Sequence, residues 1–382
     1  MSNFNLYPHN KESYEKIKEG FESSNIVGIV HATGTGKSFN ALEYVSDNTD
    51  ENILYVVPSL GIIEHLKNII AKSGFVLEKD FPNLKFCTYM SFVNLSREEL
   101  KNIKVDTLIL DEFHHLGAPV WGSRINTLIK THSNIKVLGM TAYTVRDRNT
   151  PYERDMANPD TNELFSNHIV SRYDLCDAMV DGVLPKPIYK TAYVNLIEDV
   201  DYLEKRLAKL DHNSSKYIDC EKVLRDVKRQ IANALSMKEL VKENLKPNGK
   251  YIYFCPMMSE KNVNDIDTIM KEAKGWFLEM GLAEDEMFFY KSTSEMGTLG
   301  KKNRDAFYND IDLDNRDTSN KLRVMFAINQ YNEGVHAPNV DGVILGRSTC
   351  SDIVYFEQIG RALAVRGDTE EKLNKLSQMS LE

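Results

Sequence analysis

The stretch HATGTGKS, His31 to Ser38, follows the apolar run NIVGIV and precedes a segment with helical spacing. Gly34 and Gly36 let the backbone turn so that successive N–H groups face phosphate oxygens. The helix N-terminus that follows adds positive potential at the same place. Thr33 and Thr35 line the turn, Lys37 can reach β- and γ-phosphates, and Ser38 can ligate Mg²⁺. His31 stands where the strict pattern has its first glycine, so the match is to A-x-x-G-x-G-K-S. Further along, TLILDEFHH is a run of apolar residues ending in Asp111 and Glu112. Carboxylates at the carboxyl end of a buried strand sit where α/β sheets bind ligands. A magnesium ion bound to ATP needs an oxygen ligand, which suits Asp111, and Glu112 can orient and deprotonate an attacking water. The chemistry these residues can do is hydrolysis of a nucleoside triphosphate.

Such groups need a rigid sheet beneath them. NIVGIV, NILYVV, KFCTYM, VDTLIL and KVLGM read as strands of similar length separated by helices such as Ile62 to Ile70, which predicts a parallel α/β unit over residues 1–150. Prolines, Asn-Pro and Asp181-Gly182 then punctuate residues 151–195, which read as a connector with short helices. Residues 196–248 carry apolar positions at three and four spacing without strands, and predict a helical hairpin with solvated faces. Strand rhythm resumes over residues 249–382 in YIYFCP, MFFYKS, KLRVMFAI and VDGVILG, a second α/β unit of similar layout.

Composition narrows the remaining classes. A chain of 382 residues with 42% hydrophobic and 27% charged residues holds two to three ordinary globular units. Its net charge of -9 supplies no global basic field, so any polyanion is gripped locally. Cys87, Cys176, Cys220, Cys255 and Cys350 lie far apart without a C-x-x-C pair, and read as reduced, buried thiols. No apolar run approaches the ~18 residues of a membrane span, and the start shows no basic-then-apolar leader, so the expected compartment is the cytoplasm.

The two motifs in this order resemble the superfamily 2 helicases and translocases, in the DExH branch that includes restriction-enzyme motor subunits. In that likeness HATGTGKS is motif I and DEFH, Asp111 to His114, is motif II. VVPSLGIIEHL, with Ser59, resembles motif Ia, and Thr88 and Tyr89 fall where motif Ib lies. MTAY, with Thr141 and Ala142, resembles motif III, with Tyr143 in place of a hydroxyl residue. NEGVHAPNVDGVI, with Gly334, resembles motif V, with His336 where Asp is usual. FEQIGRALA resembles motif VI, where Arg361 matches the first arginine finger, Ala364 takes the second finger's position and Glu357 replaces glutamine. LYPHN is similar to the adenine-reading pattern L-R-P-Y-Q, with Asn10 for glutamine; Asn10 reads equally as an N-cap for the next helix.

The resemblance implies two RecA-like P-loop domains of parallel sheet flanked by helices, with ATP and Mg²⁺ between them. It assigns Lys37, Asp111, Glu112 and Arg361 to catalysis. Asn10, Thr33, Gly34, Thr35, Gly36, Lys37, Ser38, Gly334 and Arg361 bind nucleotide, and Ser38 and Asp111 hold the metal. His114, Thr141 and Ala142 couple nucleotide state to the rest of the machine. Nucleic acid, DNA in preference to RNA, is the expected partner, held at its phosphates through Ser59, Thr88, Arg347 and Thr349. A partner protein carrying a nuclease or specificity function is a further expectation. The altered motif VI also motivates an ATP-gated clamp or recruiting subunit that grips nucleic acid without unwinding it. His115, Trp121 and Trp276 read as packing residues.

Overall fold

The computed structural model describes residues 4–146, 154–186, 188, 196–212, 214–232, 237–255, 266–293, 296–328, 339–346 and 358–360. The chain divides into two compact units. The first comprises Met1–Lys186, Gln330–Val343 and Thr349–Glu382, the second Pro187–Asn329 and Ile344–Ser348.

Pro8 fits the first turn of a helix, where its missing N–H costs nothing, and α1 runs Pro8–Ser23. The first unit continues with β1 (Ile26–His31), α2 (Lys37–Asp47), β2 (Ile53–Val57), α3 (Leu60–Lys72), α4 (Leu77–Asp80), β3 (Leu84–Thr88), α5 (Tyr89–Val93), α6 (Arg97–Asn102) and β4 (Thr107–Asp111). A short 3₁₀ turn, Phe113–Gly117, leads into α7 (Pro119–Thr131) and β5 (Lys136–Thr141). The two-residue strands β6 (Val145–Arg146) and β7 (Arg154–Asp155) pair antiparallel, and β8 (Ile169–Tyr173) and α8 (Leu175–Val180) follow.

Six parallel strands form the main sheet in the order β3-β2-β4-β5-β1-β8. β2 and β4 are buried throughout, as continuous apolar runs covered on both faces must be. One face packs Ile29, Tyr55, Ile109 and Met140 under α1, α2 and α3. The other packs Val56, Leu108, Leu110 and Val137 with Phe113 and Phe165. Gly139 is required there: a Cβ on it would lie 2.2 Å from the Phe165 ring, which stacks on Phe113 at 4.2 Å.

Two readings need correction here. The stretch expected to be a connector contributes the edge strand β8, hidden in the sequence because only Ser171 of IVSRY is buried. KFCTYM is not strand throughout: β3 stops at Thr88, whose side chain caps α5.

The second unit begins with α9 (Leu196–Leu207) and α10 (Ser215–Ala232), packed against one another, and α11 (Met237–Asn244). A third helix therefore joins the expected hairpin. β9 (Lys250–Phe254), α12 (Ile266–Glu279), β10 (Met287–Ser292), α13 (Gly297–Tyr308) and β11 (Leu322–Ala327) follow, and β12 (Gly342–Leu345), whose last two residues fall in this unit, completes the described elements. The sheet order is β10-β11-β9-β12, with β9, β10 and β11 parallel. Parallel sheets flanked by helices are thus the architecture of both units. No described helix is long and apolar enough to cross a membrane. The cysteine reading holds only in part: Cys87, Cys176, Cys220 and Cys255 are free thiols, but Cys176 is exposed and Cys87 half-buried, while Cys350 lies outside the described residues.

Candidate functional site

β1 ends at His31 and the chain turns tightly before α2 begins at Lys37. Gly34 and Gly36 both have φ of 86°, a region that side-chain-bearing residues enter only at a cost. A Cβ on Gly36 would also come within 2.7 Å of Asn10 Nδ2. The turn is tied from inside and outside. Thr35 Oγ1 donates to Ala32 O at 2.7 Å, and Lys37 Nζ donates to His31 O at 3.0 Å. From α1, Asn10 Nδ2 donates to Thr35 O at 3.0 Å and His9 Nε2 meets the same oxygen at 2.7 Å. Ser38 is half-buried at the start of α2, and Thr33 and Gly34 are half-buried on the turn.

Asn10 is therefore not an N-cap: Tyr7 holds that position and Asn10 lies within α1, fully buried. Its Oδ1 has no hydrogen-bond partner, an orphaned acceptor beside a phosphate-type loop. His9, missed in the sequence because nothing but its neighbour marks it, is stacked at 4.8 Å on Tyr173. Burial holds its imidazole below the usual range, so it is a neutral donor to Thr35. His31 is buried with Nε2 on Ser171 Oγ at 2.9 Å, and burial pushes its pKa down to about 3, with Lys37 adding to the effect.

Asp111 ends β4 and is buried. Glu112 turns the chain with φ 50° and ψ 56°, a left-handed conformation that costs a non-glycine residue on the order of 1–3 kcal/mol and recurs at functional sites. Its carboxylate gathers the rest of the cluster. Oε2 accepts from Thr141 Oγ1 at 3.0 Å and from Ala142 N at 3.3 Å, and lies 3.5 Å from His114 Nδ1. Oε1 faces Lys37 Nζ at 3.8 Å. His114 Nδ1 is also 2.9 Å from Thr141 Oγ1, so one hydroxyl links the histidine to the carboxylate. Burial alone would raise Glu112, but Lys37, His114 and Thr141 together hold it well below the usual carboxylate range. Asp111 shifts the other way, up to about 7, through burial first and the adjacent Glu112 second.

The structure thus brings Lys37, Glu112, His114, Thr141 and Ala142 into one cluster, with Asp111 adjacent. Ser59 and Thr88 lie apart from it, Ser59 just beyond β2 and Thr88 as the last residue of the neighbouring strand β3. Ser59 is half-buried at the start of α3 and makes no capping bond. Thr88 is buried and accepts from Ser91 N at 3.1 Å, so its hydroxyl already serves a helix cap. Trp121 packs face to face on Tyr89 at 5.0 Å, and His115 lies against both rings. Gly334, His336, Arg347, Thr349, Glu357, Arg361 and Ala364 lie outside the described residues. The residue before Arg361 is described: a Cβ on Gly360 would sit 3.2 Å from Thr33 of the turn.

The residues fit a nucleoside triphosphate with magnesium. The left-handed glycines open a cradle, Lys37 supplies charge, and Asn10 Oδ1 is a buried acceptor awaiting a donor. Among the described residues no group of three or more His, Cys, Asp or Glu could hold a metal alone. Magnesium on a nucleotide needs only one or two protein oxygens, since phosphates and water supply the rest, and Asp111 and Ser38 carry oxygens of the kind that could serve.

Residues 3–146 match the family described as "Type III restriction enzyme, res subunit" (ResIII). No curated protein matches the sequence. Among solved structures, the DNA-bound ATP-dependent Type ISP restriction-modification enzyme LlaBIII aligns with TM-score 0.59 and 16% identity over 96% of this chain and 27% of its own. A fragment assigned as an HsdR subunit of a type I restriction enzyme from Vibrio vulnificus YJ016 gives 0.57 and 17%, over 95% of this chain and 61% of its own. The Escherichia coli DEAH/RHA helicase HrpB gives 0.54 and 13%, over 95% and 43%. The chain spans less than two thirds of each of these proteins. Residues 3–146 are therefore similar to the ResIII family, and the chain shares the fold of these restriction-enzyme and DEAH/RHA helicase structures.

Proposed function

We propose that the chain is an ATP-dependent nucleic-acid translocase or helicase acting on DNA in preference to RNA. The observation that carries this reading is the Lys37–Glu112–Thr141–His114 cluster beyond the carboxyl ends of β1, β4 and β5. Oε2 of Glu112 takes the short contacts from Thr141, Ala142 and His114, which leaves Oε1 as the oxygen that removes a proton from water. Lys37 lies between that oxygen and the turn carbonyls, where it neutralises phosphate charge. Bound magnesium supplies charge neutralisation of the phosphates, and Ser38 and Asp111 are the residues that would hold it. Asp111, as the residue that would hold the metal, would then be a carboxylate rather than the protonated group that burial favours. Arg361 is assigned the finger that stabilises charge on the transferred phosphoryl group, a contribution of about 10³ to 10⁵ in related NTPases.

The nucleic acid is proposed to lie on the edge formed by Ser59 and Thr88, with Arg347 and Thr349 adding contacts. Phosphate recognition there carries no sequence information and weakens steeply with salt. The test is ATP turnover by the purified chain with single- and double-stranded DNA and RNA at two salt concentrations. Stimulation by polynucleotide, abolished in Lys37→Ala, is the expected result, and turnover indifferent to every polynucleotide sinks the reading. Ala364, where a second finger is usual, favours an ATP-gated clamp as the alternative. Strand-displacement and translocation assays separate the two, since a clamp changes its nucleic-acid affinity with ATP but moves nothing.

A further inference from the structure

Tyr89 takes no part in the chemistry described above, yet it touches the hinge of the catalytic pair. It is buried, and its hydroxyl donates to the main-chain oxygen of Asp111 at 2.9 Å. That oxygen belongs to the peptide joining Asp111 to Glu112, the unit whose orientation sends Glu112 into its left-handed conformation. β3 and β4 are not neighbours, since β2 lies between them, so Tyr89 reaches past one strand to hold the end of another. Its ring has little freedom to do otherwise: Trp121 lies parallel to it at 5.0 Å and 3°, and His115 packs on both. The backbone of Tyr89 directly follows Thr88, at the edge formed by the ends of β2 and β3. One residue thus connects that edge to the peptide that aims the base.

We propose that Tyr89 is a positioning residue through which nucleic acid on the β2–β3 edge sets the orientation of Glu112, and so stimulates hydrolysis. This deepens the reading above and rests on it. A polymer that shifts Thr88 moves Tyr89 with it, and the buried hydroxyl carries the shift to the Asp111–Glu112 peptide. Trp121 keeps the ring from absorbing the movement by rotation. The phenol is kept well above its usual pKa by burial and acidic neighbours, so it stays a donor throughout.

Tyr89→Phe removes the hydroxyl and keeps the stacked ring. In the whole 382-residue chain, the ATP turnover at saturating polynucleotide is expected to fall about five- to tenfold more than the turnover without it, the scale of one lost buried hydrogen bond. KM for ATP and polynucleotide affinity by anisotropy should stay within about twofold of the wild-type values. Trp121→Leu, which frees the ring but leaves the hydroxyl, is expected to lower the stimulation ratio in the same direction by a smaller factor, and decides the matter if Tyr89→Phe does not fold. A stimulation ratio equal to wild type in both variants, whether turnover is intact or lowered in proportion, overturns the coupling while leaving the motor reading in place. Wild-type protein that no polynucleotide stimulates overturns both.

Discussion

Lys37 and Glu112, beyond the carboxyl ends of β1 and β4, lie 3.8 Å apart, whereas Lys250 and Asp310 in the second unit lie 2.8 Å apart at the opposite end of their sheet. Lys250 opens β9, and Arg323, near the start of β11, donates to the same Asp310 carboxylate at 2.7 Å. Lys250 is 0% exposed, sits over the Phe307 ring at 4.8 Å, and Arg323 also holds Asn248 O at 3.0 Å. Both acids are left-handed, Glu112 with φ 50° and Asp310 with φ 54°. The contrast lies in what surrounds them. Asp310 is closed in by two cations, a group built to hold the amino-terminal ends of its strands. Glu112 has one oxygen fixed and one turned toward a looser partner, at the end of the sheet where α/β folds bind ligands. A lysine beside an acid gives a closed tie in one unit and a looser pair, at the ligand-binding end of the sheet, in the other.

That contrast breaks most visibly if the two acids are neutralised. Glu112→Gln should lower ATP turnover by about 10² to 10⁴, the range for loss of a general base, with little change in unfolding midpoint. Asp310→Asn should do the reverse. It removes the negative charge that Lys250 and Arg323 share, and costs about 3 kcal/mol of stability in urea unfolding, discounted within the usual range because Asp310 is partly exposed. If Asp310→Asn unfolds at the wild-type midpoint, its cluster is not a tie.

A pair of glycines sharpens the comparison at smaller scale. Gly36 and Gly281 have φ of 86° and 90°, so alanine at either costs about 1–2 kcal/mol in backbone terms. At Gly281 a Cβ meets nothing within 4 Å, while at Gly36 it strikes Asn10 Nδ2. Gly281→Ala should lower stability with KM for ATP unchanged. Gly36→Ala should raise KM about tenfold as well, because the Asn10 bond to Thr35 must give way, and equal KM values for the two variants would refute a nucleotide role for Asn10.

The sequence made the first unit's phosphate turn and acidic strand end legible because each is local: HATGTGKS and TLILDEFHH carry strand, turn and chemistry within a few residues. It hid what depends on contacts across the sheet. Nothing in TYMS announces that Tyr89 leaves the strand and reaches the Asp111 carbonyl, since that bond joins residues separated in sequence and by an intervening strand. β8 was obscured by half-exposed residues that an edge strand tolerates. The Lys250–Asp310–Arg323 tie was invisible because its members come from two strand starts and a loop. Glu112's backbone conformation also escapes the sequence, for glutamate has no intrinsic preference for it.

Protonation separates the units last and most weakly. The described histidines lie in the first unit except His212, and burial holds His31 at a pKa of about 3 against an unfolded value near 6.5. Between those values the unfolded chain binds a proton that the folded chain does not, so stability rises with pH through the window and is lost as pH falls below about 6.5. Asp111 works against this, because a carboxyl raised to about 7 binds its proton in the folded state and favours folding at the acid end of the same range. The wild-type curve therefore mixes opposite slopes, and the informative quantity is the difference from His31→Gln, which keeps a polar group for Ser171 but does not titrate. Relative to that variant, wild-type protein should lose at most about 1.4 kcal/mol per pH unit below pH 6.5, measured by urea unfolding at several pH values. Parallel curves would mean that His31 is solvated and protonates freely, and that the floor beneath the phosphate turn is wetter than its burial implies.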